Sequence, residues 1–594
     1  MTSLLDLPLD AAHLLRKKNS IRRELLLQPG LTPKRIAVLG GSTTAEVVDQ
    51  LEIFLLLHGI NATFYQSEYG QYYEDALFPR QELVDFKPEL IYVHTTSVNV
   101  QAYPAMRDDR DAVLSLLENQ LDRFRAVWDG IERHFKCPIL QNNFEEPWQR
   151  PLGNLDATDF RGRSRFISDL NAAFVLEAEK RKHLYIHDIH YLSARLGMDH
   201  WFNPRLWYLY KYALEMEMIP HLARQLAAVM AALWGKTNKC LVLDLDNTLW
   251  GGVIGDDGLH GIRIGTGNAE AEAHTDLQRY ARELKDRGII LAVCSKNEEE
   301  NARAGFMHQD SILRQEDFTA FQANWDPKSQ NIELIAREVN IGIDSLVFVD
   351  DNPAEREIVR AQLPQIKVPD IGSEVTDFVR ILDRGALFET VSLSAEDLAR
   401  SQQYHENNKR GAQQAQFATY DDFLASLQMR AEIAPFNDQY RERITQLINK
   451  TNQFNLTTMR CTEMEVEQMA ASPAYITLYG RLRDNFGDNG LIAVTAGKIS
   501  GSELHIDLWL MSCRVLKRGM EDAMLERLCQ LAVNRGMTTL IGYYRPTQKN
   551  KMVAGFYSGF GFEKISETEG QAVWKLDLAK KSPTTKHVIE VVYD

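Results

Sequence analysis

The 594-residue chain lacks any Cys-x-x-Cys pair. Its six cysteines, Cys137, Cys240, Cys294, Cys461, Cys513 and Cys529, are scattered and form no His/Cys group at zinc spacing. That excludes a zinc ribbon and a disulfide framework. No apolar run approaches the roughly 18 residues of a membrane span, and the opening "MTSLLDLPLDAAHLLRKKNS" mixes charge into its apolar positions. Positive charge is also in short supply. A formal net charge of −15 argues against general binding to nucleic acid or an anionic membrane, although a local basic patch could still receive an acidic carrier protein. Internal repeats and low-complexity segments are missing as well. The expectation is a cytoplasmic globular protein, with 44% hydrophobic and 25% charged residues, both ordinary for that class.

Length implies several cores, because domains hold roughly 100–200 residues each. Residues 1–235 alternate strand and helix, as in "RIAVLGGSTTAEVVDQLEIFLLLHGINATFYQ" and "PELIYVHTT", the pattern of a parallel sheet covered by helices. A helical stretch from about Pro204 to Trp234 leads out of it. Residues 236–390 form a second unit of this kind, with strands at Cys240–Leu243, Ile289–Val293 and Ser345–Val349. Its helix "AEAHTDLQRYARELKDRG" puts Leu277, Tyr280, Ala281 and Leu284 on one face, and Gly288 at its C-terminal cap. Residues 391–594 open with a polar helix and continue as α+β, with strands such as "GLIAVTAGKI" and "ELHIDLWLM" around "GMEDAMLERLCQLAVNRG". The fold class expected is multidomain α/β.

"LVLDLDNTLWGGVIGDDG" places Asp244 and Asp246 at the carboxyl end of an apolar strand, where alternation points both side chains into the crevice of an open α/β sheet. Such a pair suits phosphoryl transfer, with one carboxylate attacking phosphorus and the other protonating the leaving oxygen. A carboxylate cluster repels itself and the phosphate, so a hard cation is required, Mg2+ above all. Ser295, in "LAVCSKN", ends the next strand and can hold phosphoryl oxygens. Lys328, in "WDPKSQNIELI", starts a helix and can neutralise transition-state charge. Asp350 and Asp351, in "SLVFVDDNPAERE", can complete the metal site with Asp244 and Asp246. These motifs resemble the haloacid dehalogenase (HAD) superfamily, with Asp244, Asp246 and Thr248 in its first motif and Ser295, Lys328 and Asp350 in the others. Lys296 and Asn297 adjoin Ser295 as further phosphate-binding candidates. No large cap domain fits after Leu249 or between Ser295 and Lys328, so the crevice stays open to a macromolecule.

Cys294 has two readings, a small buried core residue or a nucleophile that carries an acyl thioester. "KCLVLDLDNTLWGGVIGDDG", "CSKN", "FVDDNPAERE", "NKTNQFNLTTMR" and "CRVLKRGME" together resemble the FkbH-like glyceryl transferases of polyketide biosynthesis, a HAD subfamily IIIC group. The resemblance implies that 1,3-bisphosphoglycerate is dephosphorylated and its glyceryl group loaded onto an acyl carrier protein, with Cys294 holding the thioester. The run from Asn452 to Thr458 is demanded by no general fold constraint. The C-terminal segment also resembles GCN5-related N-acetyltransferases (GNAT), with Tyr557 in the position of their acid. Leu516 and Glu521 depart from that family's pyrophosphate-binding turn, which points away from free acetyl-CoA. The N-terminal segment resembles SGNH hydrolases, with Ser42 in "LGGSTT" at the nucleophile turn but no Asp-x-x-His, since "HDIH" and "MDHW" both depart from it. The expectation is therefore a glyceryl transferase and phosphatase. A plain small-molecule phosphatase and a carrier-docking scaffold with an inactive HAD core are the alternatives.

Overall fold

The computed structural model describes residues 7–593, apart from 399, 401, 402, 405, 407–409, 411, 412, 414–416, 418, 513, 514, 548, 569 and 579–585. The chain divides into two compact units, Met1–Leu233 and Trp234–Asp594. Among the described residues, no helix is long and apolar enough to cross a membrane. Much of the polar helix expected after residue 390 lies outside the described residues.

The first unit is built on five parallel strands: β1 (Thr32–Gly40), β2 (Ile60–Gln66), β3 (Leu90–His94), β4 (Ile139–Asn142) and β5 (Leu184–His187). Their order is β2-β1-β3-β4-β5. Ile36–Leu39 and Leu90–Val93 are fully buried, which is why both runs are apolar without alternation. The chain leaves β1 for β2 on one side and returns to β3 on the other, so the crevice lies at the carboxyl ends of β1 and β3. Ser42 sits there, buried, with no hydrogen-bond partner for its Oγ among the described residues. Asp188 of "HDIH" caps the next helix through the Tyr191 N–H and accepts from Asn143 Nδ2 at 2.7 Å. Burial lowers His187 to about 3 and His94 to about 4, so both are neutral. The long helix expected over 204–234 is instead broken. Pro204–Tyr210 stops at Lys211, whose φ of 60° is left-handed, and a new helix runs from Ile219 to Leu233.

The second unit holds two sheets. The parallel one has β6 (Cys240–Leu243), β7 (Ile290–Ser295), β8 (Ala320–Ala323) and β9 (Leu346–Val349), in the order β8-β7-β6-β9. Side chains alternate between two apolar layers. Leu241, Leu243, Leu291, Val293, Val347 and Val349 enter one layer. Cys240, Val242, Ile290, Ala292, Cys294, Leu346 and Phe348 enter the other. Helix Lys328–Glu338 covers that second layer through Ile332, Ile335 and Ala336.

The larger sheet contains β10 (Arg430–Ala434), β11 (Tyr475–Asp484), β12 (Gly487–Ser500), β13 (Glu503–Met511), β14 (Thr539–Tyr544), β15 (Glu563–Thr568), β16 (Gln571–Asp577) and β17 (Glu590–Tyr593). Its order is β15-β16-β14-β13-β12-β11-β10-β17, and β15 is exposed along its whole length as one edge. β13 and β14 run parallel only from Glu503 opposite Thr539 to Ile506 opposite Gly542, then separate. Phe454–Leu456 fills the wedge between them. Leu456 N–H donates to Trp509 O, Met511 N–H to Phe454 O, and Arg545 N–H to Leu456 O. Asn550 Nδ2 donates to Asn455 O, while Asn455 Oδ1 accepts from the N–H of Thr458, whose φ is 54°. The Asn452–Thr458 run thus has a local structural cause that its sequence did not disclose.

Two outcomes follow from these placements. Asn455→Ala strands buried backbone groups and costs about 1–3 kcal/mol. Hydrogen exchange read by mass spectrometry should then quicken at Leu456 and Met511, and unchanged protection there would rule out the wedge as described. In the first unit, burial raises the Glu145 carboxyl from 4.5 to about 7 despite its bonds from Ser97. The folded form therefore binds a proton that the unfolded chain has lost between those values, so stability is greatest below the lower value and falls as pH rises through the upper one. Glu145→Gln should stabilise this unit by about 3 kcal/mol at about pH 8, and by little at about pH 4, on a thermal melt.

Candidate phosphoryl-transfer site

β6 ends at Leu243 and delivers Asp244 to the carboxyl edge of its sheet, and β9 delivers Asp350 and Asp351 beside it. The Asp244 N–H donates to Val349 O at 2.9 Å, which locks the two strand ends in register. One oxygen from each of Asp244, Asp350 and Asp351 lies within 4.8 Å of the others. Lys328, the first residue of its helix, reaches back with its ammonium 2.9 Å from Asp244 Oδ1 and 2.5 Å from Asp350 Oδ2. Asp244 and Lys328 are 6% and 4% exposed and Asp350 is 0%, so these charges have almost no water to screen them.

Burial alone would lower the Lys328 pKa, but Asp244 and Asp350 outweigh it and hold the ammonium charged, above its ordinary value. Burial, and then the neighbouring Asp244, raise Asp350 to about 6 against the pull of Lys328. The same two causes raise Asp351. Three carboxyl groups against one ammonium leave the site short of positive charge, with little water to make up the difference. An all-oxygen donor set with that deficit fits Mg2+, which Asp244, Asp350 and Asp351 would hold.

Asp246, expected as a fourth metal ligand, has its carboxylate outside this group. Its Oδ1 accepts from Trp250 Nε1 at 2.9 Å and from the Ile254 N–H at 3.1 Å, and its Oδ2 accepts from Asn297 Nδ2 at 2.9 Å. These three donors aim it as a proton carrier, and burial raises its pKa. Asn297 therefore orients Asp246. Thr248 is also engaged internally, with its Oγ1 3.3 Å from Asp351 Oδ1 and 3.1 Å from the Asp351 N–H. Lys296 pairs with Glu355 at 2.6 Å. Ser295 ends β7 and is 1% exposed, and its carbonyl accepts from the Asn324 N–H at 3.2 Å.

Cys294 belongs to the layer of Ile290 and Ala292, as strand alternation requires. It is fully buried, with Sγ 3.6 Å from Lys328 O, and burial raises the thiol well above its ordinary value. The core-residue reading is the one its surroundings fit, and an attacking thiolate would first have to leave that layer.

Sequence reading passed over three residues here. Arg356, 4% exposed, donates from Nη1 to the carbonyls of Asp350 and Asp351 and from Nη2 to Asp370, clamping the acidic turn. His274 Nδ1 and Gln278 Nε2 hold the carbonyls of Thr248 and Leu249. Only the Arg, three residues beyond a helix-starting Pro, gave any hint. The stretch from Thr248 to Asn268 holds one four-residue helix, Ile254–Asp257, so no domain covers the crevice from that side.

The Cys294 environment carries its own check. Alkylation of the native protein followed by peptide mapping should leave Cys294 unmodified until denaturant is added, and rapid native labelling would show that the thiol opens to solvent.

Residues 35–231 match the family described as FkbH, N-terminal domain. The solved N-terminal part of the protein BF1531 from Bacteroides fragilis, which contains a phosphatase domain complexed with Mg, is 29% identical. That match covers 63% of this chain and 99% of that one, with a TM-score of 0.58. The ribosomal-protein-S18-alanine N-acetyltransferase of Escherichia coli is similar at 15% identity over 26% of this chain and 96% of its own, with a TM-score of 0.21. The GNAT domain of S. lividans PAT is similar at 16% identity, over 24% and 89%, also with a TM-score of 0.21. No curated protein matches the chain. The first two matches support an FkbH-like protein, an enzyme with a phosphatase-related function.

Proposed function

We propose that the second unit is a Mg2+-dependent phosphohydrolase and acyl-loading enzyme acting on 1,3-bisphosphoglycerate or a similar phosphorylated three-carbon substrate, with an acyl carrier protein as acceptor. The observation that carries the phosphoryl step is the cluster of buried Asp244 and Asp350, bridged by Lys328, with half-buried Asp351 beside them. Mg2+ supplies charge neutralisation at the phosphoryl oxygens when it is bound. Asp244 attacks phosphorus, the ester P–O bond breaks, and the departing alkoxide takes a proton from Asp246. Asp246 then removes a proton from water, which cleaves the aspartyl phosphate and releases inorganic phosphate. Lys328 balances the charge on the carboxylates throughout. Burial favours the protonated form of Asp246 that the first step needs.

The acyl phosphate end of such a substrate is already activated. A carrier thiolate can attack its carbonyl carbon, the C–O bond breaks, and phosphate departs with the electron pair as the thioester forms. The resemblance to FkbH-like glyceryl transferases implies a relay through Cys294, but its sulphur lies beneath Lys328 in an apolar layer. We therefore assign the acyl transfer directly to the carrier thiol. The residues 391–594, GNAT-like by sequence, and the SGNH-like first unit are assigned no acyl or ester hydrolysis of their own in this reading.

Asp244→Asn should reduce phosphate release from a phosphate monoester, assayed without carrier protein, by at least about a thousandfold, since it removes a nucleophile. Phosphate release that survives the substitution would sink the phosphohydrolase. Intact mass spectrometry with 1,3-bisphosphoglycerate, Mg2+ and a holo-carrier protein should show glyceryl on the carrier, both with the parent chain and with Cys294→Ala. Glyceryl on the parent enzyme, lost in Cys294→Ala together with carrier loading, would restore the relay. Free phosphate with no adduct would leave a plain phosphatase.

A further inference from the structure

A cleft of about 470 Å³ opens on the large sheet, lined by Lys498, His505, Asp507, Tyr543, Arg545 and Gln571, with Thr457 and Met459 at one side. That volume is in the range of small-molecule sites. It owes its shape to a β-bulge. Ala496 pairs with Leu508 and Gly497 with Ile506, so Asp507 is the extra residue between them. A bulge re-aims a side chain, and the Asp507 carbonyl is fixed by Thr457 Oγ1 at 2.6 Å. Ile506, Trp509 and Met511 join the core that packs on helix Met520–Asn534, while Leu508 and Leu510 join the cluster on the other face.

The charged groups of the cleft feel one another without bonding: burial raises the Asp507 carboxyl, and Lys498 and Arg545 pull against that across the cavity. Lys498 Nζ has no hydrogen-bond or ion-pair partner among the described residues, and neither has the Asp507 carboxylate. Arg545 spends only its Nε, on Gln571 Oε1 at 3.0 Å. His505 is engaged, with Nδ1 2.7 Å from the Tyr543 hydroxyl and Nε2 3.4 Å from Glu503. A lysine, an arginine and a carboxylate thus face a single cavity with hydrogen-bonding capacity to spare.

The wedge between β13 and β14 is filled by Phe454–Leu456. At the start of helix Met520–Asn534, the buried Glu521 carboxylate accepts the Lys517 N–H at 2.9 Å, so the protein's own anion stands where an external one would be drawn.

We propose that this cleft binds a small hydroxylated anion, its phosphate or carboxylate on Lys498 and Arg545 and a hydroxyl donating to Asp507. The site uses none of the phosphoryl-transfer residues, so it stands or falls separately from the function proposed above.

Titration calorimetry on the full chain carrying Asp244→Asn, without Mg2+, tests it with sn-glycerol 3-phosphate, D-glycerate and neutral glycerol as probes. Saturable binding of either anion is expected, with none for glycerol. The anion that binds tells phosphate from carboxylate recognition. Lys498→Ala combined with Arg545→Ala should weaken binding at least tenfold, and Asp507→Asn should weaken the hydroxylated anion while keeping the melting temperature. These side chains lie at the surface of the cleft, so a circular dichroism melt will confirm that each variant folds. No saturable binding of either anion at millimolar concentration would overturn the proposal, as would equal affinity in the double variant or equal binding of glycerol.

Discussion

The Lys328 ammonium, held between Asp244 and Asp350 with almost no exposure, is the interaction on which the second unit is organised. Three carboxylates converge at the ends of β6 and β9, and without a cation among them their desolvation would drive the strand ends apart. The helix that begins at Lys328 also covers the apolar layer beneath, through Ile332, Ile335 and Ala336. Packing of that layer and charge balance above it therefore share one element. Arg356 performs the complementary task from the next helix, where its guanidinium ties the carbonyls of Asp350 and Asp351.

The carboxylates divide into two groups by their partners. Asp244, Asp350 and Asp351 face one another and Lys328. Asp246 is turned aside by Trp250, Ile254 and Asn297, so its orientation is set before any substrate arrives. Preorganisation of this kind spares the site the cost of arranging a proton carrier at the moment of reaction.

Much of this was legible in the chain itself, because apolar strands ending in Asp244 and Asp350 announce both the sheet and its crevice. Cys294 was different: the chain left core residue and nucleophile both open and the resemblance favoured the nucleophile, whereas the layer it shares with Ile290 and Ala292 fits the core residue. The rest was hidden for physical reasons. β8 is a four-residue edge strand, half-buried at Phe321 and Gln322, and such a strand needs no apolar run. The side-chain engagements of Asp246 come from residues 4, 8 and 51 positions away, and only the folded turn brings them together. The wedge of Phe454–Leu456 depends on two strands parting company, which no local pattern records.

β15 closes one side of the large sheet with every residue exposed. An unpaired strand edge is a template on which further chains can assemble, and a long apolar one invites aggregation. Here the edge reads Glu563, Lys564, Ile565, Ser566, Glu567, Thr568, with a Lys564–Glu567 ion pair at 2.9 Å and a register shift between Lys564 and Ser566. Charge and irregularity together make that rim a poor partner for a second copy, so the sheet can end in solvent without extending itself from one molecule to the next.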